Sequence, residues 1–248
     1  MIKEKWLDRK LCQSGIIACG FLSILLLIKT ALAGYVPPAE QEPPSDYTRS
    51  GTAGHRGGCQ GNEAIALTLL APQTHIGQTA STQPTLAWFI PNPENVSVEF
   101  RLFEYDLNDL PTKPIASLSL PPSSASIRKI SLPEKYSLKV GKKYLWQIAI
   151  DCPDSQPDLI ARADIKVVSS PLTEPALLPS KSAETYAQAG LWYDALGQAL
   201  AVATQGQLGE DAATLLEELA NLEAGLVDST EETPNPVAYL RQIAVSER

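Results

Sequence analysis

The chain has 248 residues, 44% of them hydrophobic, and carries 20 Lys and Arg against 28 Asp and Glu for a net charge of −8. That length suits one large domain or a medium one with an appendage, with enough apolar residues for a true core. Nucleic-acid binding needs a basic stripe to neutralise phosphates, so an acidic chain without one is expected to have no nucleic-acid partner.

The first 33 residues read as an export signal. Lys3, Lys5, Arg9 and Lys10 make a positive start, Gly15 to Ile28 is almost wholly apolar, and Ala31-Leu32-Ala33 puts small residues where a signal peptidase reads. Cleavage is expected before Gly34, sending the protein to the periplasm or cell envelope. The alternative is a retained anchor, because Leu11 to Ile28 approaches the ~20 residues that span a bilayer. Only then would the chain meet a membrane. Ile16-Ile17-Ala18-Cys19 is a loose lipidation box, preceded by too short an apolar run. Cleavage removes five basic residues (Lys3, Lys5, Arg9, Lys10, Lys29) and two acidic ones (Glu4, Asp8), so 20 against 28 becomes 15 against 26.

Cys12 and Cys19 leave with the signal, and Cys59 and Cys152 remain. Two cysteines in an oxidising compartment most simply form one bridge; two separate buried thiols are the alternative. Residues 34–58 hold Pro37-Pro38, Pro43-Pro44 and a Gly-rich stretch without apolar periodicity, the pattern of a flexible linker. His55 falls there.

Residues 59–169 read as a β-sandwich domain. Ala64 to Leu70, Thr85 to Ile90, Ser97 to Tyr105, Ile115 to Leu120, Ser126 to Leu132, Tyr144 to Cys152 and Leu159 to Val168 are short apolar or alternating runs with turn signals between them. Tyr144, Trp146, Ile148 and Ile150 form the greasy row of the central strand. Asp106, Asn108 and Asp109 read as a hairpin turn, since Leu110 breaks the order of a calcium loop. Leu138-Lys139-Val140-Gly141-Lys142-Lys143-Tyr144 resembles the corner before a late strand of fibronectin type III and immunoglobulin-like domains, with Trp88 as a candidate core tryptophan. Cys152 lies eight residues after Tyr144, too far for the antibody-type bridge.

Residues 170–180 read as a second, Pro-rich linker, and the period then turns helical. Tyr186, Gly190, Trp192, Ala195, Ala199 and Val202 make residues 181–248 resemble the inside of a tetratricopeptide (TPR) repeat without its closing proline. Asp211 to Ala224 is expected as a helix with Leu215, Leu216, Leu219 and Leu222 inward, and Pro236 to Ile243 as a short third one. The fold class is therefore mainly β with an α appendage, an immunoglobulin or fibronectin III-like antiparallel sandwich followed by a TPR-like helical region.

Arg56-Gly57-Gly58-Cys59, Pro84-Thr85-Leu86-Ala87-Trp88-Phe89-Ile90-Pro91, Val140-Gly141-Lys142-Lys143-Tyr144-Leu145-Trp146 and Tyr186 to Leu196 occur in that order. Together they resemble the cyanobacterial domain-of-unknown-function family DUF928. The resemblance implies an exported or envelope protein and supplies no activity.

Chemistry is sparse. His55 and His75 are the histidines, no nucleophile elbow is present, and two loop histidines do not make a three-ligand zinc site. No catalytic residue, cofactor or metal is expected. Between Gly209 and Glu232 stand eight acids and no basic residue, a candidate docking face for a basic protein partner. Glu217 and Glu218 represent that face. Trp192 and Tyr193, adjacent on a helix, are not expected to face one core together, so one of them is a candidate contact anchor, with packing under the sandwich as the favoured alternative. The leading expectation is a non-catalytic protein-interaction or structural module. A carbohydrate-binding or adhesion sandwich is the alternative and a hydrolase the lesser one. Burial of Trp88, Phe89, Trp146 and Tyr105 would count against sugar binding.

Overall fold

A computed structural model describes residues 34–48, 65–92, 94–152, 158–172, 182–226 and 235–248, all within one compact unit, Ala33–Arg248. Eight strands form two sheets. β1 (Thr68–Leu69), β3 (Thr85–Ile90) and β6 (Ser126–Ser131) make an antiparallel sheet in the order β1-β3-β6. β2 (Gly77–Thr79), β8 (Leu159–Val167), β7 (Lys143–Asp151), β4 (Val96–Tyr105) and β5 (Pro111–Ser123) make the other in the order β2-β8-β7-β4-β5. In it β2 runs parallel to β8, and the remaining pairs are antiparallel.

The alternation read from the sequence fixes the register. Val98, Phe100 and Leu102 stand opposite Ile150, Ile148 and Trp146, so one side of β4 and β7 is a continuous apolar row. Leu86, Trp88 and Ile90 of β3 are buried at 0–2% exposure and supply the facing layer. β5 is a sheet edge, and Pro111, Pro114, Pro121 and Pro122 blunt it against pairing with another chain. The β4–β5 hairpin turns where expected: the Asp106 carboxylate accepts the N–H groups of Asn108 and Leu110 at 2.8 and 3.0 Å. At the corner before β7, the Tyr144 hydroxyl accepts the Lys139 N–H at 3.0 Å.

Four helices follow: α1 (Ala183–Gln188), α2 (Trp192–Ala201), α3 (Glu210–Glu223) and α4 (Pro236–Ser246). Ser182 caps α1 by accepting the Thr185 N–H, and Asn235 caps α4 with Pro236 in its first turn. Gly190 turns the chain between α1 and α2 at φ +75°, a region disfavoured for other residues, and Pro38 stands 3.3 Å from where a Cβ would be.

Two expectations change here. Leu222, expected inward with Leu215, Leu216 and Leu219, is 46% exposed at the last turn of α3. Residues 34–48, expected as the start of a flexible linker, form a docked strap. Val36 N–H donates to Ala187 O, Ile76 N–H to Glu42 O, and Tyr35 is 3% exposed. The prolines do not free this segment: they fix its extended path while Tyr35 supplies the buried surface. Residues 49–58, including His55, lie outside the described residues, as does most of the second linker.

Sheets, helices and strap share one hydrophobic core running from Tyr35 through Trp88 and Trp146 to Trp192 and Ile243. α2 touches β3 of one sheet and β2 of the other. The helices are thus a layer of the same globule.

Candidate functional site

Three polar clusters, two of them buried and the third half-buried, lie where strap, sheets and helices meet. In the first, Glu223 at the end of α3 is 1% exposed and faces the Pro72–Ile76 loop. Its Oε1 accepts from Thr74 N at 3.0 Å, Thr74 Oγ1 at 2.8 Å and Gln73 N at 2.9 Å. His75 Nδ1 lies 3.4 Å from the same oxygen, and His75 Nε2 is 2.8 Å from the Tyr35 hydroxyl. The ring of His75 thus bridges Tyr35 on one side and Glu223 on the other. Burial, then the charge of Glu223, pushes the Tyr35 phenol well above its ordinary value, so it stays a donor. Trp192 meets the Tyr35 ring edge-on at 5.1 Å and donates its indole N–H to Leu70 O at 2.9 Å.

The second cluster is built on Asp164 of β8, 4% exposed, whose Oδ2 accepts the Ser45 N–H of the strap at 2.7 Å. Its Oδ1 accepts the Tyr105 hydroxyl at 2.5 Å, and Ser45 Oγ lies 2.7 Å from that hydroxyl. Tyr193 donates to Asp164 O at 2.9 Å and accepts the Trp146 indole N–H at 3.0 Å. In the third, Asp194 on α2 accepts the Ala80 N–H at 2.9 Å. Burial holds its carboxyl above the usual range, against the Thr79 and Ala80 hydrogen bonds.

Of the partner-contact residues expected from the sequence, the two aromatics are enclosed, whereas Glu217 and Glu218 stay partly exposed. Trp192 and Tyr193 are both 0% exposed. Adjacent aromatics share the interior because α2 is covered on two sides: Trp192 turns to the strap and the 70–75 loop, Tyr193 to β7 and β8. Glu217 is spoken for by Arg248 at 2.9 Å, and Glu218 accepts the Tyr35 N–H at 3.2 Å. His75, read as a turn residue, is 2% exposed, and its neighbours Pro72-Gln73-Thr74 and Gly77-Gln78 carry no periodicity that marks it as interior.

Two cavities, of about 270 and 70 Å³, open on either side of the edge strand β6. Both include Arg128 and Lys129 in their walls, and no carboxylate lines either one. The Lys129 ammonium caps the C-terminal end of α2 by donating to Leu200 O. The smaller cavity is walled by Trp88, Ile90, Val98 and Leu120 between the sheets.

A family model described as Domain of Unknown Function (DUF928) matches residues 51–233. The chain belongs to the DUF928 family. No curated protein matches it. Solved structures with partial likeness include AA10A of T. fusca, at 9% identity over 40% of this chain and 54% of that one, TM-score 0.28. The catalytic domain of an LPMO from Listeria monocytogenes is 15% identical over 43% of this chain and 65% of that one, also at TM-score 0.28. The DUF928 chain thus spans less than two thirds of either, and likeness at that score carries no argument.

Among the described residues no three His, Cys, Asp or Glu side chains are grouped to hold a metal, and no helix is long and apolar enough to cross a membrane. Cys152 is 7% exposed just after β7, whereas Cys59 lies outside the described residues.

Proposed function

We propose that this DUF928 chain is an exported, non-catalytic protein-interaction module of a cyanobacterial envelope, stapled by a Cys59–Cys152 bridge. The observation that carries this reading is the use made of buried and half-buried acid groups. Glu223, Asp164 and Asp194 each take backbone N–H donors from a loop or the strap, the work of holding a chain in place. Strand order and the Tyr144 corner support an immunoglobulin-like sandwich, and the small-residue packing of α1 and α2 supports a TPR-like helix pair. The contact surface moves from the buried aromatics to the end of the helical layer. There Leu222 and Leu226 are 46% and 68% exposed at and just past the C-terminal end of α3, while the exposed acids Glu210 and Asp211 stand at its N-terminal start, about 18 Å along the helix. A basic partner with an apolar anchor fits such a surface.

Removing the helices would expose the shared core, so the test uses surface variants. Leu222→Asp with Leu226→Asp should abolish cross-linking to a partner in an envelope extract and leave thermal unfolding unchanged. Equal cross-linking by variant and parent would sink the docking role. Turnover of ester, peptide or glycan substrates by the purified chain would overturn the non-catalytic reading. Sugar binding gains no support, because Trp88, Phe89, Trp146 and Tyr105 are all 7% exposed or less.

A further inference from the structure

The strap begins against a carboxylate. A Cβ placed on Gly34 would stand 2.5 Å from each oxygen of Glu218 on α3, far inside normal contact, so no other residue fits there without displacing that side chain. The following backbone N–H, that of Tyr35, donates to Glu218 Oε2 at 3.2 Å. A Cβ lies about 2.5 Å from its own backbone nitrogen, which holds Gly34 N within about 5 Å of both oxygens. Burial raises the Glu218 pKa, and the facing Glu184 of α1 and Glu217 of α3 push the same way, against the Tyr35 hydrogen bond. Arg248, beyond α4, is engaged with Glu217 and Glu210. Among the described residues no cation is paired with Glu218.

We propose that cleavage of the Ala33–Gly34 bond supplies that cation. Hydrolysis by a signal peptidase consumes one water, leaves a carboxylate on Ala33 and frees an ammonium on Gly34. The ammonium then seats on the Glu218 carboxylate and locks the strap onto α3 in the processed chain alone. This rests on the export reading and gives Gly34 a role separate from that of Ala31-Leu32-Ala33: the first three residues direct the cut, and the glycine lets the new terminus approach the acid. The ordinary α-amino pKa is about 7.7–8.0, and a facing carboxylate raises it in the folded state. The stabilisation is therefore complete below that range while Glu218 is ionised, and fades as pH rises through the raised folded value of the amino group.

The test compares protein beginning at Gly34 with protein retaining Ala31-Leu32-Ala33, each with Glu218 and with Glu218→Gln. At pH 6 the Gly34 form should melt about 2 °C higher, in keeping with a half-exposed ion pair in a chain of this size. The gap should close by pH 10 and be absent with Glu218→Gln. Equal melting of the two parent forms at pH 6 overturns the latch. If Glu218→Gln fails to fold, NMR titration of the Gly34 amino group decides: a pKa above about 8 supports the pairing, and an ordinary value refutes it. The intact mass of the exported protein is a separate arm. A first residue other than Gly34 overturns the proposal through its reading of export, and equal melting overturns it through the contact.

Discussion

Replacing Glu223 by Gln should unfasten the Tyr35–His75 end of the strap. The isosteric amide keeps one acceptor oxygen and presents an N–H₂ group to Gln73 N–H, Thr74 N–H or the Thr74 hydroxyl, all of them donors aimed at the same place. Hydrogen bonds to a charged group contribute about 1.5–3 kcal/mol each, and a buried donor left unsatisfied costs about 1–3 kcal/mol. With a side chain 2% exposed, solvent does not relieve the mismatch. A loss of about 3 kcal/mol is therefore expected, which lowers the melting temperature by about 6–12 °C for a chain of this size. Urea unfolding of the Gly34–Arg248 protein measures the first quantity and calorimetry the second. Limited proteolysis should also cut the strap sooner in the variant. A variant within about 0.5 kcal/mol of the parent would refute the view that Glu223 pins the 73–75 loop.

Three further outcomes follow from the same contacts. Tyr193→Phe removes the acceptor of the Trp146 indole and the donor to Asp164 O, and should cost about 2 kcal/mol in urea unfolding. Gly190→Ala should cost about 1–2 kcal/mol, because alanine is strained at φ +75° and its Cβ would meet Pro38 at 3.3 Å. Asp194 has a folded-state pKa above its ordinary 3.8, so it binds more protons folded than unfolded and its ionisation opposes folding. The stability of the parent relative to Asp194→Asn should accordingly fall as pH rises from below 3.8 through the raised value; a difference independent of pH would contradict the burial argument.

The strands were legible because their cause is local. β3, β4, β6 and β7 start and stop within a residue or so of where alternation and turn residues place them, and α3 lies within one residue of its expected span. β2 was not legible: Gly77–Thr79 is held by parallel pairing to β8, a partner 88 residues away that no short window contains. The partner-contact residues misled for a related reason. Helical periodicity gives the direction of a side chain and not how many neighbours surround the helix, so Trp192 and Tyr193 on adjacent positions could not be recognised as both enclosed.

By itself the sequence determined the order of strands followed by helices, the central row from Tyr144 to Ile150, the hairpin at Asp106 and the family motifs. Each rests on residue spacing, which the backbone converts directly into faces and turns. Only the tertiary structure decided that residues 34–48 are a strap, that His75 is buried between Tyr35 and Glu223, and that Glu218 meets Gly34. Those facts depend on groups brought together across 40 to 184 positions of chain, where burial and hydrogen-bond demand act and spacing carries no information.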